Sequence, residues 1–226
     1  MSTSFPVYLE IGAKRTFAAA IEWPGWCRSG PDAAVALAAL VDYGARYQHA
    51  IRSARLGFSP PKSVDDLKVV EKLKGSTTTD FGSPAASPRA DNQKLVGERL
   101  GQYGKLLKAC WGTFDEAVKD ARGRQLRRGP RGGGRDLNKI VEHVVGAEEA
   151  YLSRLGWSFK PPAGADPVGE MSDLRRAILE GLAASAAGKI SKKGPRGGAR
   201  WLPRYYVRRA AWHMLDHAWE IQDRLP

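Results

Sequence analysis

Near residue 91 the chain changes its hydrophobic period. Before that point apolar positions come in short runs. Val7–Ile11 and Thr16–Ile21 predict two strands around a Gly12–Arg15 turn, and Leu67–Leu73 predicts another. Trp23-Pro24-Gly25-Trp26 reads as a turn. Asp32 predicts the start of one helix with Leu37, Leu40, Val41, Tyr47 and Ile51 on its apolar face. Gly75–Arg89 is rich in Ser, Thr, Gly, Pro and Ala, so residues 75–90 are expected to form a linker.

From Asp91 the apolar positions recur every three or four residues, the signature of an amphipathic helix. Val96, Leu100, Tyr103, Leu107, Cys110, Phe114 and Ala117 make one stripe. Leu137, Ile140, Val141, Val144, Tyr151 and Leu155 make a second, with Asp136 as its N-cap. Leu174, Ile178 and Leu182 mark a third, capped by Ser172. Val207, Ala210, Ala211, Met214, Ala218, Ile221 and Leu225 make the fourth. The expected fold is therefore an α+β N-terminal domain over residues 1–74, followed by an all-α four-helix bundle over residues 91–226.

The last of these helices carries His213 and His217, four residues apart, and the second carries His143. Side chains at i and i+4 share a helix face. Two imidazoles so placed can bind one cation, and a third from a neighbouring helix leaves a coordination position free for a substrate. On an ideal wheel the pair lies on one shoulder of its stripe, with Tyr206 and Glu220. Glu220 is a candidate partner for the second ring nitrogen of a bound histidine, set against an ordinary solvated position. Glu148 falls within an apolar stripe, where a carboxylate needs a partner. It can orient a ligand, act as a base, or pair with an arginine of another helix. Asp216 and His49 are expected at the surface, Cys110 in the core, and Cys27 in a more exposed position. Trp212 and Trp219 are expected to pack on the N-terminal part or on a second subunit of a homodimer.

Composition adds a local asymmetry. The 226 residues carry a net charge of +12. Residues 119–135 hold seven basic side chains against Asp120, and residues 189–209 hold eight basic side chains and no acid. Each segment contains the string Gly-Pro-Arg-Gly-Gly, at 129–133 and 194–198. Glycine lets amide groups approach an anion and arginine adds a two-pronged donor. Arg131 and Arg135 are thus candidate anion ligands, the alternative being a solvated turn. The same charge allows nucleic-acid binding, although no recognition-helix motif accompanies it. Cys27 and Cys110 make no disulfide framework. The N-terminus lacks a basic leader with an apolar core, and no apolar run approaches the roughly 20 residues of a membrane span. A soluble cytoplasmic protein with no membrane association is expected.

The C-terminal pattern resembles the DinB-like superfamily of metal-binding four-helix bundles. His143, the form His143-x-x-x-x-Glu148-x-x-Tyr151-Leu152, and His213-x-x-x-His217 carry the likeness, over roughly Asp91–Pro226. The resemblance implies an up-down-down-up bundle and a divalent metal (zinc, nickel or iron) held by the three histidines. It also implies a small-molecule substrate, with thiol-dependent transfer or isomerisation using a low-molecular-weight thiol such as bacillithiol or mycothiol, or hydrolysis. Phe17–Gly30, followed by an Ala-rich helix, looks like a HicB-type antitoxin domain, and departs from that pattern at Trp26.

Overall fold

The computed structural model describes residues 4–129, 134–160 and 167–226, with side chains from residue 171 onward in the last of these. It begins with strands β1 (Phe5–Ile11), β2 (Thr16–Ala20) and β3 (Cys27–Gly30). Helices α1 (Ala33–Asp42) and α2 (Gly44–Ala50) follow, and β4 (Leu67–Lys74) closes a mixed four-stranded sheet of order β3-β2-β1-β4. β1 pairs antiparallel with β2 and parallel with β4. Alternation divides the sheet residues between two faces. Val7, Leu9, Ala18 and Ala20 pack with Trp26, Ala36 and Leu40. Tyr8, Phe17, Ala19 and Ile21 join Cys27 and Trp212 on the other side.

Several expectations are corrected here. β3 has no apolar alternation, and ladder pairing with β2 defines it. That strand buries Cys27, which is 3 % exposed. The helix expected over Asp32–Ile51 breaks at Tyr43, where Gly44, a poor helix former, lies against Pro60. Asp32 does cap its start, accepting from Val35 N at 2.9 Å. The expected linker holds helix α3 (Thr77–Phe81) and a short 3₁₀ turn at Arg89–Asn92. It is bound to β1 through the buried Glu10 carboxylate, which accepts from Thr79 Oγ1 at 2.5 Å and from the Ala85 and Ala86 amides at 2.9 Å. Buried polar groups need such partners, and here they fix the segment's path.

Four longer helices follow: α4 (Gly97–Ala121), α5 (Leu137–Leu155), α6 (Pro167–Ala186) and α7 (Pro203–Arg224). The expected stripes are largely buried, although Val96 is the N-cap of α4 and 57 % exposed. Ser172 does not cap α6, because that helix begins at Pro167. Residue contacts set the helix directions. Arg204 lies over the Tyr103 ring near the start of α7 and α4, while Arg127, just past α4, bonds the Asp223 and Leu225 carbonyls at the end of α7. Those two helices run parallel. In α5, His143 meets His217 and Tyr151 meets Arg209, so α5 runs antiparallel to α7. In α6, Arg175 pairs with Asp115 and Leu179 lies toward Gly104, so α6 runs antiparallel to α4.

α7 is the centre of the molecule. From Arg204 to Trp219 every residue but Asp216 is buried. Trp212 meets Phe17 of β2 edge-to-face, and Trp219 meets Tyr43. The two tryptophans therefore face the N-terminal elements, one of the two expected alternatives. The tight turn before β3 reaches the same helix: Gly25 has φ +93°, and an added Cβ would lie 3.1 Å from Ala211. Among the described residues, no helix is long and apolar enough to cross a membrane.

Candidate metal centre

Antiparallel packing of α5 on α7 brings the three histidines together. Asp136 caps α5, accepting from Lys139 N at 2.9 Å, and fixes where the helix that carries His143 begins. Pro203 opens α7 at its first turn, where a missing N–H costs nothing. His213 and His217 then lie one turn apart, edge-to-face, with ring centroids 4.6 Å from each other. His143 lies 5.1 Å from His213 and 4.9 Å from His217 by the same measure. His143 Nε2 and His213 Nε2 are 3.2 Å apart. One ligand nitrogen from each of the three falls within 4.8 Å of the others.

The separation of His143 Nε2 and His213 Nε2 fits a shared cation, and His217 lies beside them. Two nitrogens each about 2.0–2.1 Å from one tetrahedral ion are about 3.3 Å apart. His213 and His217 are buried at 6 % and 9 % exposure, and His143 is half-buried. Burial, and then electrostatic coupling to His217, His143, Arg209 and Arg135, push the His213 pKa well below its ordinary value. Burial, His217 and Arg135 lower that of His143, against an opposing contribution from Glu220. Both rings are thereby held neutral, the form that ligates metal.

Around the rings the chain supplies orienting groups. Glu220 Oε2 lies 2.8 Å from His217 Nδ1, and its Oε1 accepts from Arg224 Nη1 at 2.8 Å. The bond to His217 is the main cause holding the Glu220 carboxyl below its usual range. Nδ1 being so engaged, His217 presents Nε2. Arg224 Nε in turn donates to the Arg127 carbonyl at 2.8 Å, joining the basic segment after α4 to the end of α7. Arg135 is exposed and close enough to act electrostatically on His143 and His213. Arg131 lies outside the described residues.

Glu148 stands apart from this group. Its carboxylate is buried and accepts from Trp111 Nε1 of α4 at 2.9 Å. Among the described residues it bonds to no histidine and forms no ion pair with an arginine. Asp216 pairs with Arg28 at 3.3 Å and keeps 41 % of its side chain exposed. His49 is exposed, beside Arg52.

Sequence patterns did not single out Arg209. It lies one turn before His213, 8 % exposed. Its Nη1 donates to Ser83 Oγ and to the Pro84 carbonyl, and its Nη2 donates to Tyr151 Oη at 3.0 Å. The Tyr151 ring stands 5.6 Å from that of His213 and 5.0 Å from Trp201. An arginine four residues before a candidate ligand histidine was the available signal. Its partners in the segment before α4 were not readable from spacing. Comparison of the chain with protein-family models, curated proteins and solved structures gives no match.

Proposed function

We propose that the protein is a metal-dependent enzyme of the DinB-like kind, with His143, His213 and His217 as ligands of one divalent cation. Zinc suits three imidazoles; nickel and iron are the alternatives. The observation that carries this reading is the 3.2 Å approach of His143 Nε2 to His213 Nε2, with His217 beside them and its far nitrogen held by Glu220. The helix directions support an up-down-down-up four-helix bundle, with the N-terminal sheet as a HicB-like accessory module.

Three histidine ligands leave a position for substrate. When bound there, the cation supplies Lewis acidity, lowering the pKa of a coordinated water to about 7 or favouring the thiolate of a coordinated thiol. The chain's own residues hold His143 and His213 neutral, fix the His217 ring through Glu220, and shield one side of the group with Tyr151. Chemistry of that kind suits S-transfer, isomerisation or hydrolysis of a low-molecular-weight thiol or its conjugate. Metal analysis of untagged protein tests the reading. About one equivalent is expected in the wild type and less than a tenth of that in His217→Ala. Equal and negligible metal in both removes it.

A second reading, nucleic-acid binding, is favoured by one observation. The second Gly-Pro-Arg-Gly-Gly loop folds back on itself through a Lys193–Ala199 bridge and faces the end of α5. Arg154, Arg196, Arg200 and Trp157 share a groove there. Binding to a nucleic acid that weakens steeply with salt would support it, and no binding at low salt would end it.

A further inference from the structure

We propose that the small molecule accepted at the three-histidine site is an anion, and that Arg209 together with Tyr151 receives one of its acidic oxygens. The proposal rests on the metal-centre reading above and adds the class of ligand.

A buried guanidinium ordinarily requires a negative partner, because an uncompensated charge inside a protein costs several kcal/mol. Arg209 has no carboxylate bonded to it among the described residues. The buried carboxylates are committed elsewhere: Asp91 to Arg208, Glu10 to Thr79 and the Ala85–Ala86 amides, and Glu148 to Trp111. Neutral oxygens take both Nη1 hydrogens and one on Nη2. Nε is buried and has no hydrogen-bond partner. Of the five guanidinium hydrogens, the one on Nε and the second on Nη2 are therefore left for the oxygens of a carboxylate or phosphate. The Tyr151 hydroxyl oxygen already accepts from Nη2, so its own proton remains to be donated.

The charge at the centre points the same way. Imidazole ligands bring no negative charge to a cation. The carboxylate beside them, Glu220, is already matched by Arg224. Arg209 and Arg135 add positive charge nearby, and both act on His213. A dication in that setting is left without compensation from the chain, and an anionic ligand spanning the free metal position and Arg209 supplies it. Trp212 and Tyr151 hold the guanidinium in place, their ring centroids lying 4.9 Å and 5.4 Å from its carbon.

The test uses full-length protein loaded with cobalt(II), whose visible spectrum reports its coordination. Acetate, succinate and inorganic phosphate are the probes. Saturable spectral changes are expected in the wild type; tighter succinate binding identifies a carboxylate ligand and tighter phosphate binding a phosphoryl one. Arg209→Met should retain cobalt and bind the preferred anion about 10- to 100-fold more weakly, the range for a hydrogen bond to a charged group. Tyr151→Phe should weaken it about 3- to 10-fold and carries the test if the arginine variant does not fold. Cobalt uptake with no anion response, or equal affinity in folded variants and wild type, overturns this proposal and leaves the metal centre standing. Failure of the wild type to take up cobalt removes the metal centre and this proposal with it.

Discussion

Glu220 grips His217 from below, one carboxylate oxygen 2.8 Å from Nδ1 and the other 2.8 Å from Arg224. About two turns of α7 thus supply a candidate ligand, the acceptor that orients it and the arginine that anchors the acceptor. Removing the acceptor frees the imidazole to rotate and lowers its basicity. Glu220→Ala is expected to weaken zinc binding about 10- to 100-fold, with the fold retained. Glu220→Gln, which keeps an acceptor oxygen, should recover part of the loss. Competition with a chelator of known affinity measures both. Unchanged affinity in the alanine variant would mean that Glu220 does not position His217.

Glu148 provides a second, independent test, in stability rather than metal affinity. Burial pushes its carboxyl up to about 7, and the bond from Trp111 offsets only part of that effect. Below its unfolded value of 4.5 the group is protonated in both states, and its favourable contribution is fully present. As pH rises through about 7 that contribution is lost, because the unfolded chain ionises first. The difference between the two values corresponds to about 3 kcal/mol. Glu148→Gln keeps an acceptor for Trp111 and removes the titration. Relative to wild type, the variant should gain up to about 3 kcal/mol between pH 4 and pH 8. Urea denaturation across that range checks it, and a constant difference would show that the carboxyl ionises normally.

What could be read in the sequence was local. The i, i+4 spacing placed His213 and His217 on one face of α7, because helical periodicity depends only on neighbours along the chain. Asp32 and Asp136 announced their helices for the same reason. Ser172 misled, because Pro167 begins α6 before it. β3 was hidden because its strand character comes from pairing with β2, and Cys27 is buried by that pairing. The segment over residues 75–90 looked like a tether by composition, yet Glu10, some 75 residues away, binds its amides. Arg209 illustrates the same limit. Its environment is assembled from Ser83, Pro84 and Tyr151, which only tertiary packing brings together.

Gly156 offers a test of the opposite end of α5. It caps that helix with φ +99°, and an added Cβ would lie 2.6 Å from Arg200 Cδ. Gly156→Ala should destabilise the protein by about 1–2 kcal/mol from the left-handed backbone alone. Displacement of Arg200 would add to this and disturb the second basic loop. His143 lies thirteen residues away, about 20 Å along the helix. Zinc affinity is therefore expected to match the wild type while the melting temperature falls. Parallel loss of metal binding would show that the two ends are coupled.

Arg208 and Asp91 join the N-terminal sheet to α7. Asp91 accepts from Arg208 Nε at 3.1 Å and from Nη2 at 2.8 Å, and the remaining donors reach the Ala20 and Ile21 carbonyls at the end of β2. Both side chains are buried, at 6 % and 0 % exposure. Deleting only the acid strands a guanidinium in the interior, so Asp91→Ala should cost about 3–5 kcal/mol. Replacing both partners with apolar residues, as in Arg208→Met with Asp91→Leu, removes the uncompensated charge. Less destabilisation is expected for that double variant than for the alanine substitution alone, although it loses the tie to the Ala20 and Ile21 carbonyls. Chemical denaturation of the three proteins gives the comparison. If the double variant were the weaker one, the carbonyl contacts rather than the ion pair would be what holds sheet and helix together.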